Sequence, residues 1–387
     1  MPSRHNSACS SYPHVAASGS PSHIRNSLSS RQTQLIAARG DAIDLPMLII
    51  RLPSASDQDV SGVVAVVREH GEFVRQVRLG SDVFVLLQME GPVDQCLSRF
   101  TGLPGVASGF ALDTPFILSS RAFVPTRTCV RIRPDLHIGG DEFVVMAGPC
   151  TVETEDQVRT TAESVQKSGA RILRGGSYKP RTSPFSFQGL QQAGLGILHR
   201  VSKELDLPVV SEVMAPHQLE DVHPLVDVLQ VGMRNSLNYP LLTAIGEHPK
   251  HPPVLLKCGI GTSLDEFLCA ADYILAGGNP NVILCLRGRV GLSEYTRSAL
   301  NINDVPVLRR LTHLPIIVDP SHAVGRVDLV APMCMAAVAA GTDGLLIEVH
   351  ENPEDALCDG PQSLRLEDFA SLMKSLRSLA KALGREL

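Results

Sequence analysis

Between Met47 and Leu112 short apolar runs alternate with single stretches of helical spacing. MLIIRL, FVRQVRL, DVFVLLQME and VASGFAL read as strands. DQDVSGVVAVVREHG, ending at Gly71, and PVDQCLSRFTGL carry their apolar residues at amphipathic-helix spacing. The resulting order, βαββαβ, predicts a ferredoxin-like unit over residues 46–122. It gathers no cluster of catalytic side chains, which favours a binding or regulatory module.

After a connector at 123–140 a different rhythm begins. Apolar runs start at FVVMAGPC, RILRGGSY, PVVSEV, VLQVGM, VLLKCG, NVILCLRG, PIIVDPSH and GLLIEVHE. Helix-like segments such as EDQVRTTAESVQKSG and LVAPMCMAAVAAG fill the gaps. Strands alternating with helices eight times predict an α/β fold, a (β/α)8 TIM barrel over 141–387; a doubly wound open sheet is the alternative.

Composition narrows the partners. With 44% hydrophobic and 19% charged residues and a net charge of −5, the chain is globular and has no electrostatic reason to bind nucleic acid or membrane. Nine cysteines make no disulfide framework and fit reduced thiols in a cytoplasmic protein. No apolar run is long enough to span a bilayer. Residues 1–45 are rich in Ser, His and Arg, with no acidic residue before Asp41. They read as a disordered extension or, alternatively, as an organelle transit peptide.

The chemistry sits at the ends of the eight runs. There stand Cys150; Arg174 with Lys179 and Arg181; Glu212; Arg234; Lys257; Arg287; Asp319 with His322; and Glu348. A closed barrel brings these ends to one mouth, the face on which barrel enzymes keep their active sites. Six cations converging there call for anionic ligands, enough to balance two phosphates and a carboxylate. In RGGSYKPRTS (174–183), glycines allow close backbone approach, and Thr182 and Ser183 add donors for phosphate oxygens. Cys150, His322, Glu348 and Asp359 form a second set, one thiolate, one imidazole and two carboxylates. That mixture suits Mn2+, Fe2+, Co2+ or Zn2+ better than Mg2+. Taken singly, Cys150 could be a small buried hydrophobe and His322 a core histidine.

GPCTVE, KPRTSP, QVGMRN, LLKCG, ILCLRG, DPSHAVGR and IEVHENPEDALCDGPQSL occur in that order, and over residues 46–385 the chain resembles the 3-deoxy-D-arabino-heptulosonate 7-phosphate (DAHP) synthases. The likeness is to the type Iβ group, which carries an N-terminal ferredoxin-like regulatory domain. The resemblance implies condensation of phosphoenolpyruvate with erythrose 4-phosphate, the first step of the shikimate route to aromatic compounds. It implies Cys150, His322, Glu348 and Asp359 as metal ligands. Arg174, Lys179, Arg234, Lys257 and Arg287 would hold phosphoenolpyruvate; Arg181, Thr182 and Ser183 would hold the aldose phosphate. Asp319 would lie near the aldehyde, and Lys179 or Lys257 would serve proton transfer. It further implies a tetramer and feedback control by an aromatic amino acid such as Tyr or Phe.

Two positions depart from the pattern. Family members usually read LLKRG and CERG, where this chain has Cys258 and Leu286. Loss of both members of an ion pair would avoid an unpaired charge; an altered pocket for the second substrate is the other reading. Three alternatives follow: 3-deoxy-D-manno-octulosonate 8-phosphate synthase, a relative acting on a modified aldose in secondary metabolism, and a catalytically silent regulatory paralogue.

Overall fold

The computed structural model describes residues 46–387 apart from Gly80, Leu292 and Ser293. The expected extension at 1–45 lies outside the described residues. The first strands are β1 (Met47–Pro53), β2 (Glu72–Leu79), β3 (Asp82–Gln88) and β4 (Ser108–Leu112), with helices α1 (Asp57–His70) and α2 (Val93–Ser98) between them. They form an antiparallel sheet in the order β2-β3-β1-β4, the ferredoxin-like arrangement expected. Helix α1 starts at a capping box, in which Ser56 and Asp59 satisfy each other's backbone N–H.

Both faces of this sheet are covered, which explains why its strands are nearly continuous apolar runs. Leu48, Ile50, Leu52, Val83, Val85 and Leu87 point to one side, against Val60, Val63 and Val67 of α1 and Cys96 of α2. Their alternates Ile49, Phe84 and Leu86 join the core shared with the barrel helices. Truncating one of these fully buried residues, such as Ile49, to Ala would cost about 2–5 kcal/mol.

The barrel is closed by eight parallel strands: β7 (Val144–Gly148), β8 (Ile172–Arg174), β9 (Val209–Val213), β10 (Val228–Val231), β11 (Val254–Lys257), β12 (Val282–Leu286), β13 (Ile316–Val318) and β14 (Gly344–Glu348). Closure is made by β14 pairing β7, which excludes the open sheet. Around it run α3 (Glu155–Ser168), α4 (Gln191–Leu205), the short α5 (Leu219–Val222), α6 (Tyr239–Gly246), α7 (Leu264–Ala276), α8 (Asp304–Leu311), α9 (Pro320–Val324), α10 (Val327–Ala339) and α11 (Leu366–Ala382). No described helix is long and apolar enough to cross a membrane.

The segment read as a plain connector holds a hairpin, β5 (Val130–Arg133) with β6 (Leu136–Ile138). Its Val130, Leu136 and Ile138 pack on Val144, Met146, Ile172 and Leu255 and cap the N-terminal end of the barrel. Four-residue and three-residue strands are too short for periodicity to reveal. Upstream, Asp272 of α7 accepts hydrogen bonds from the backbone N–H groups of Ile117 (2.5 Å), Leu118 (3.1 Å) and Ser119 (2.7 Å). Thr128 and His313 then tie the chain to the residues preceding β13. The ferredoxin-like sheet is thereby fastened to the flank of the barrel, at the end opposite the mouth.

Candidate active site

The RGGSYKPRTS stretch leaves β8 and folds back over the mouth. A Cβ at Gly176 would sit 2.8 Å from the Cys150 carbonyl oxygen and 2.9 Å from Lys179 Cδ, so only glycine lets the loop lie this close to β7. The approach brings Lys179 Nζ to 2.9 Å from Cys150 Sγ and 3.2 Å from its carbonyl oxygen. Thr182 and Ser183 remain exposed at the rim, where Thr182 Oγ1 accepts from Arg234 at 3.4 Å.

The cations occupy two levels. Arg174, Lys179, Lys257 and Arg287 are buried at the base of a cavity of about 290 Å³, whereas Arg181 is half-buried and Arg234 exposed at its rim. Arg174 donates to the Pro149 carbonyl (2.6 Å) and to Glu348 (3.0 Å). Lys257 Nζ lies 2.6 Å from Asp319 Oδ2, and Arg287 donates to Ser298 Oγ (3.1 Å) and to the His322 carbonyl (2.9 Å). All the cations inferred from strand ends therefore line one cavity.

Cys150, His322, Glu348 and Asp359 place one donor atom each within 4.8 Å of one another. Cys150 Sγ is 3.1 Å from Asp359 Oδ2, and His322 Nε2 is 3.3 Å from Glu348 Oε1 and 4.0 Å from Asp359 Oδ2. The other imidazole nitrogen, Nδ1, faces Asp319 Oδ2 at 2.8 Å. A carboxylate behind a histidine that points its free nitrogen into a set of donors is how metal-binding imidazoles are oriented. Gln362 donates to the second Glu348 oxygen at 2.5 Å. The donor set and its spacing fit a transition-metal ion. His322 comes from the short helix α9 and not from a strand end as its DPSH run suggested. Asp319 caps that helix, accepting from His322 N–H at 3.0 Å.

Burial opposes ionisation of Asp319, but His322 and Lys257 outweigh it and hold its carboxyl well below the usual range. Glu348 is likewise lowered, by His322 and Arg174 against its burial. Burial pushes Glu212 the other way, upward, although Lys179 and Lys257 face it. Burial works against the charge on Lys179, yet Cys150, Cys358 and Glu348 raise its pKa, so it stays cationic.

Glu212 stands at a strand end, where its residue type alone assigns it no role. In the structure its buried carboxylate hangs into the cavity, bonded to Gln230 at 3.1 Å. Two further residues escaped. Arg297 lies on a long loop after β12, far from any strand end, and contacts Asp359 at 3.1 Å. Cys358 precedes a ligand candidate and lies 3.6 Å, sulfur to sulfur, from Cys150. Cys258 and Leu286 are buried side by side, one step beyond the Lys257–Cys285 pair in the register of β11 and β12. Leu286 belongs to the apolar core with Cys258, so neither substitution leaves a charge without a partner.

Comparisons with known proteins agree with this geometry. Residues 123–383 match the DAHP synthetase I family. The chain is 39% identical over 338 residues to phospho-2-dehydro-3-deoxyheptonate aldolase of Thermotoga maritima, covering 87% of this chain and 99% of that enzyme. The crystal structure of phospho-2-dehydro-3-deoxyheptonate aldolase (DAHP synthase) from Thermotoga maritima superposes with a TM-score of 0.70 at 37% identity, covering 88% of this chain and 99% of that one. A 2-dehydro-3-deoxyphosphooctonate aldolase from Geobacter sp. (strain M21) is 33% identical over 259 residues, 62% of this chain and 93% of that enzyme. The heptonate relative thus accounts for far more of the chain than the octonate one. Barrel, mouth and comparisons together make the chain a member of the DAHP synthetase I family.

Proposed function

We propose that this mouth condenses phosphoenolpyruvate with erythrose 4-phosphate to DAHP and phosphate, with the labour divided by depth. The observation that carries the reading is the two-level arrangement of cations around one four-residue metal cluster. Arg174, Lys179, Lys257 and Arg287 at the base, with Arg234 above them, hold the phosphate and carboxylate of phosphoenolpyruvate. Arg181, Thr182 and Ser183 at the rim take the phosphate of the aldose, whose aldehyde then points down toward Asp319 and the cluster.

Mn2+, Fe2+, Co2+ or Zn2+ held by Cys150, His322, Glu348 and Asp359 would supply Lewis-acid polarisation of an aldehyde oxygen. The chain's own residues do the rest. Fixing both anions in one cavity sets C3 of the enol against the aldehyde carbon and removes the entropic cost of their encounter. After the C–C bond forms, C2 carries the positive charge, water adds there, and the hemiketal phosphate expels inorganic phosphate. Arg287 and Lys179 stabilise charge on that leaving group. Lys257, 2.6 Å from an ionised Asp319, is the proton carrier best placed for the new hydroxyl. Glu212, whose carboxyl burial pushes upward, faces the cavity and suits the water that adds at C2.

We further propose that residues 46–122 form a regulatory unit that takes an aromatic amino acid, Tyr or Phe, in a tetramer. Its support is that no catalytic cluster forms in that sheet among the described residues, and that its attachment lies away from the mouth. A version beginning near residue 125 would lose sensitivity to both amino acids; retained sensitivity refutes this part.

Phosphate release with erythrose 4-phosphate against arabinose 5-phosphate, each with and without EDTA, tests the main reading. Turnover of the shorter aldose alone, abolished by EDTA and restored by Mn2+, is expected. Preference for arabinose 5-phosphate would move the chain to the octulosonate reaction.

A further inference from the structure

Of the four donors at the mouth, Asp359 sits on the least regular backbone. It is a non-glycine residue in the left-handed region, with φ 54° and ψ 28°, a conformation that lasts only where the surroundings hold it. What holds it comes from a neighbouring loop. Leu357 N–H, two residues before Asp359, donates to Glu153 Oε1 at 2.9 Å. The same oxygen faces Nε2 of His350 at 3.7 Å. His350 Nδ1 accepts from Asn352 N–H at 3.0 Å, which leaves the ring proton on Nε2. That buried nitrogen has no hydrogen-bond partner among the described residues. Glu153 is itself fixed: its N–H donates to Gln157 Oε1 (3.3 Å), and Gln157 Nε2 donates back to the Thr151 carbonyl (3.2 Å). Glu153 follows Cys150 in the loop leaving β7, and His350 follows Glu348 in the loop leaving β14. One carboxylate thus ties the loop that supplies Cys150 to the loop that supplies Asp359.

We propose that Glu153 is a positioning residue for the metal: it holds the turn at Asp359 so that the Asp359 carboxylate reaches the other three donors. The inference rests on the reading of Cys150, His322, Glu348 and Asp359 as metal ligands. Glu153 is not one of the four. It acts through the backbone at Leu357, and Cys358 and Asp359 follow directly. Without the carboxylate, Leu357 N–H and His350 Nε2–H lose the acceptor on which they converge, and the left-handed turn is free to relax. Relaxation carries the Asp359 side chain away from Cys150 Sγ, which it now meets at 3.1 Å, while Cys150, His322 and Glu348 keep their places. Arg297, 3.1 Å from Asp359 Oδ1, then competes with the metal for the released carboxylate. Loss of an outer partner of this kind costs about 10- to 100-fold in metal affinity.

The test uses the full chain, stripped of metal and titrated with Co2+ against a competing chelator, with the cobalt absorption spectrum recorded at saturation. A sulfur-to-cobalt band reports Cys150, and the visible d–d bands report the geometry of the whole donor set. Glu153→Ala is expected to bind Co2+ about 10- to 100-fold more weakly, to keep the sulfur band and to change the d–d bands. Glu153→Gln, which keeps one oxygen for Leu357 N–H, should lose less. Asp359→Ala should weaken binding and change the d–d bands in the same way. In an Asp359→Ala background, adding Glu153→Ala should cost less than about threefold more, because the donor it positions is gone. An equal loss with and without the Asp359 carboxylate overturns the inference. So does parent-like affinity in both Glu153 variants while Asp359→Ala binds weakly; in either case the ligand assignment stands. Should Glu153→Ala fail to fold, Glu153→Gln in the two backgrounds decides by the same comparison. If Asp359→Ala binds Co2+ as the parent does, the ligand assignment fails and the inference with it.

Discussion

The carboxylate of half-buried Asp272 gathers three backbone N–H groups of the segment joining the ferredoxin-like sheet to the barrel, at 2.5, 3.1 and 2.7 Å. Ile117, Leu118 and Ser119 are all buried, so water has poor access to those groups once the acceptor is gone. In Asp272→Ala three charge-assisted bonds are lost, each worth about 1.5–3 kcal/mol. They share one acceptor and are not additive. Relaxation and entry of water into the space left by the side chain bring the expected cost of holding this segment down to about 4 kcal/mol. Asp272→Asn, which keeps one oxygen acceptor, should cost about half of that. Native-state hydrogen exchange read by mass spectrometry gives the answer locally. At 1.4 kcal/mol per decade, amides in a 113–124 peptide should exchange about a thousandfold faster in Asp272→Ala. A peptide containing β7 serves as the internal reference and should change far less. Unchanged protection at 117–119 would refute the claim that Asp272 fastens the connector.

Four further outcomes follow from the same contacts. His313 is buried, its Nε2 bonded to the Leu118 carbonyl and its Nδ1 2.6 Å from Thr128 Oγ1, and burial lowers its pKa below 6.5. The folded state therefore binds fewer protons than the unfolded one, and this contribution, present above about pH 6.5, is lost as pH falls toward the lowered folded pKa. The fall in melting temperature from pH 7.5 to 5.5 should thus be smaller in His313→Asn than in the parent protein. Cys258→Arg would bury a guanidinium beside Leu286 and destabilise by about 3 kcal/mol; adding Leu286→Glu should recover most of it, as read by thermal unfolding. A Cβ at Gly232 would lie 2.0 Å from Glu212 Oε1, so Gly232→Ala must displace that carboxylate; steady-state kinetics should show kcat falling at least tenfold. Lys257→Met leaves Asp319 buried without its ammonium, and turnover should fall by about three orders of magnitude with metal occupancy retained, a combination that atomic absorption and the phosphate-release assay check together.

Eight alternating runs made the barrel legible because each βα unit repeats the same polarity switch, and the strand-end rule then gathered Arg174, Lys257, Arg287 and Glu348 on one face. The βαββαβ unit was legible for a similar reason, its six segments being separated by clear turn residues. What stayed hidden has local causes. The β5–β6 hairpin is shorter than a period count can register. His322 sits on a one-turn helix whose cap, Asp319, looks like the last residue of a strand. Arg297 reaches the mouth from a loop, and loop reach is set by tertiary packing that a linear pattern does not carry. The proximity of Cys358 to Cys150, 208 residues apart in sequence, is likewise a product of the closure of β14 on β7.

The charges at the mouth looked from the sequence like a bank of cations in need of anions. In the fold, three of the buried ones already have partners: Arg174 with Glu348, Lys257 with Asp319, and Lys179 with the Cys150 sulfur. The desolvation of these charges is thus a cost met once, when the chain folds. On the proposed reading, a metal ion that takes Glu348 would release its hold on Arg174, and a substrate anion that takes Arg174 would release its hold on Glu348. The mouth would then work as an ion exchanger whose resident counter-ions are its own side chains, with the loading of the metal and the loading of the anion as two halves of one swap.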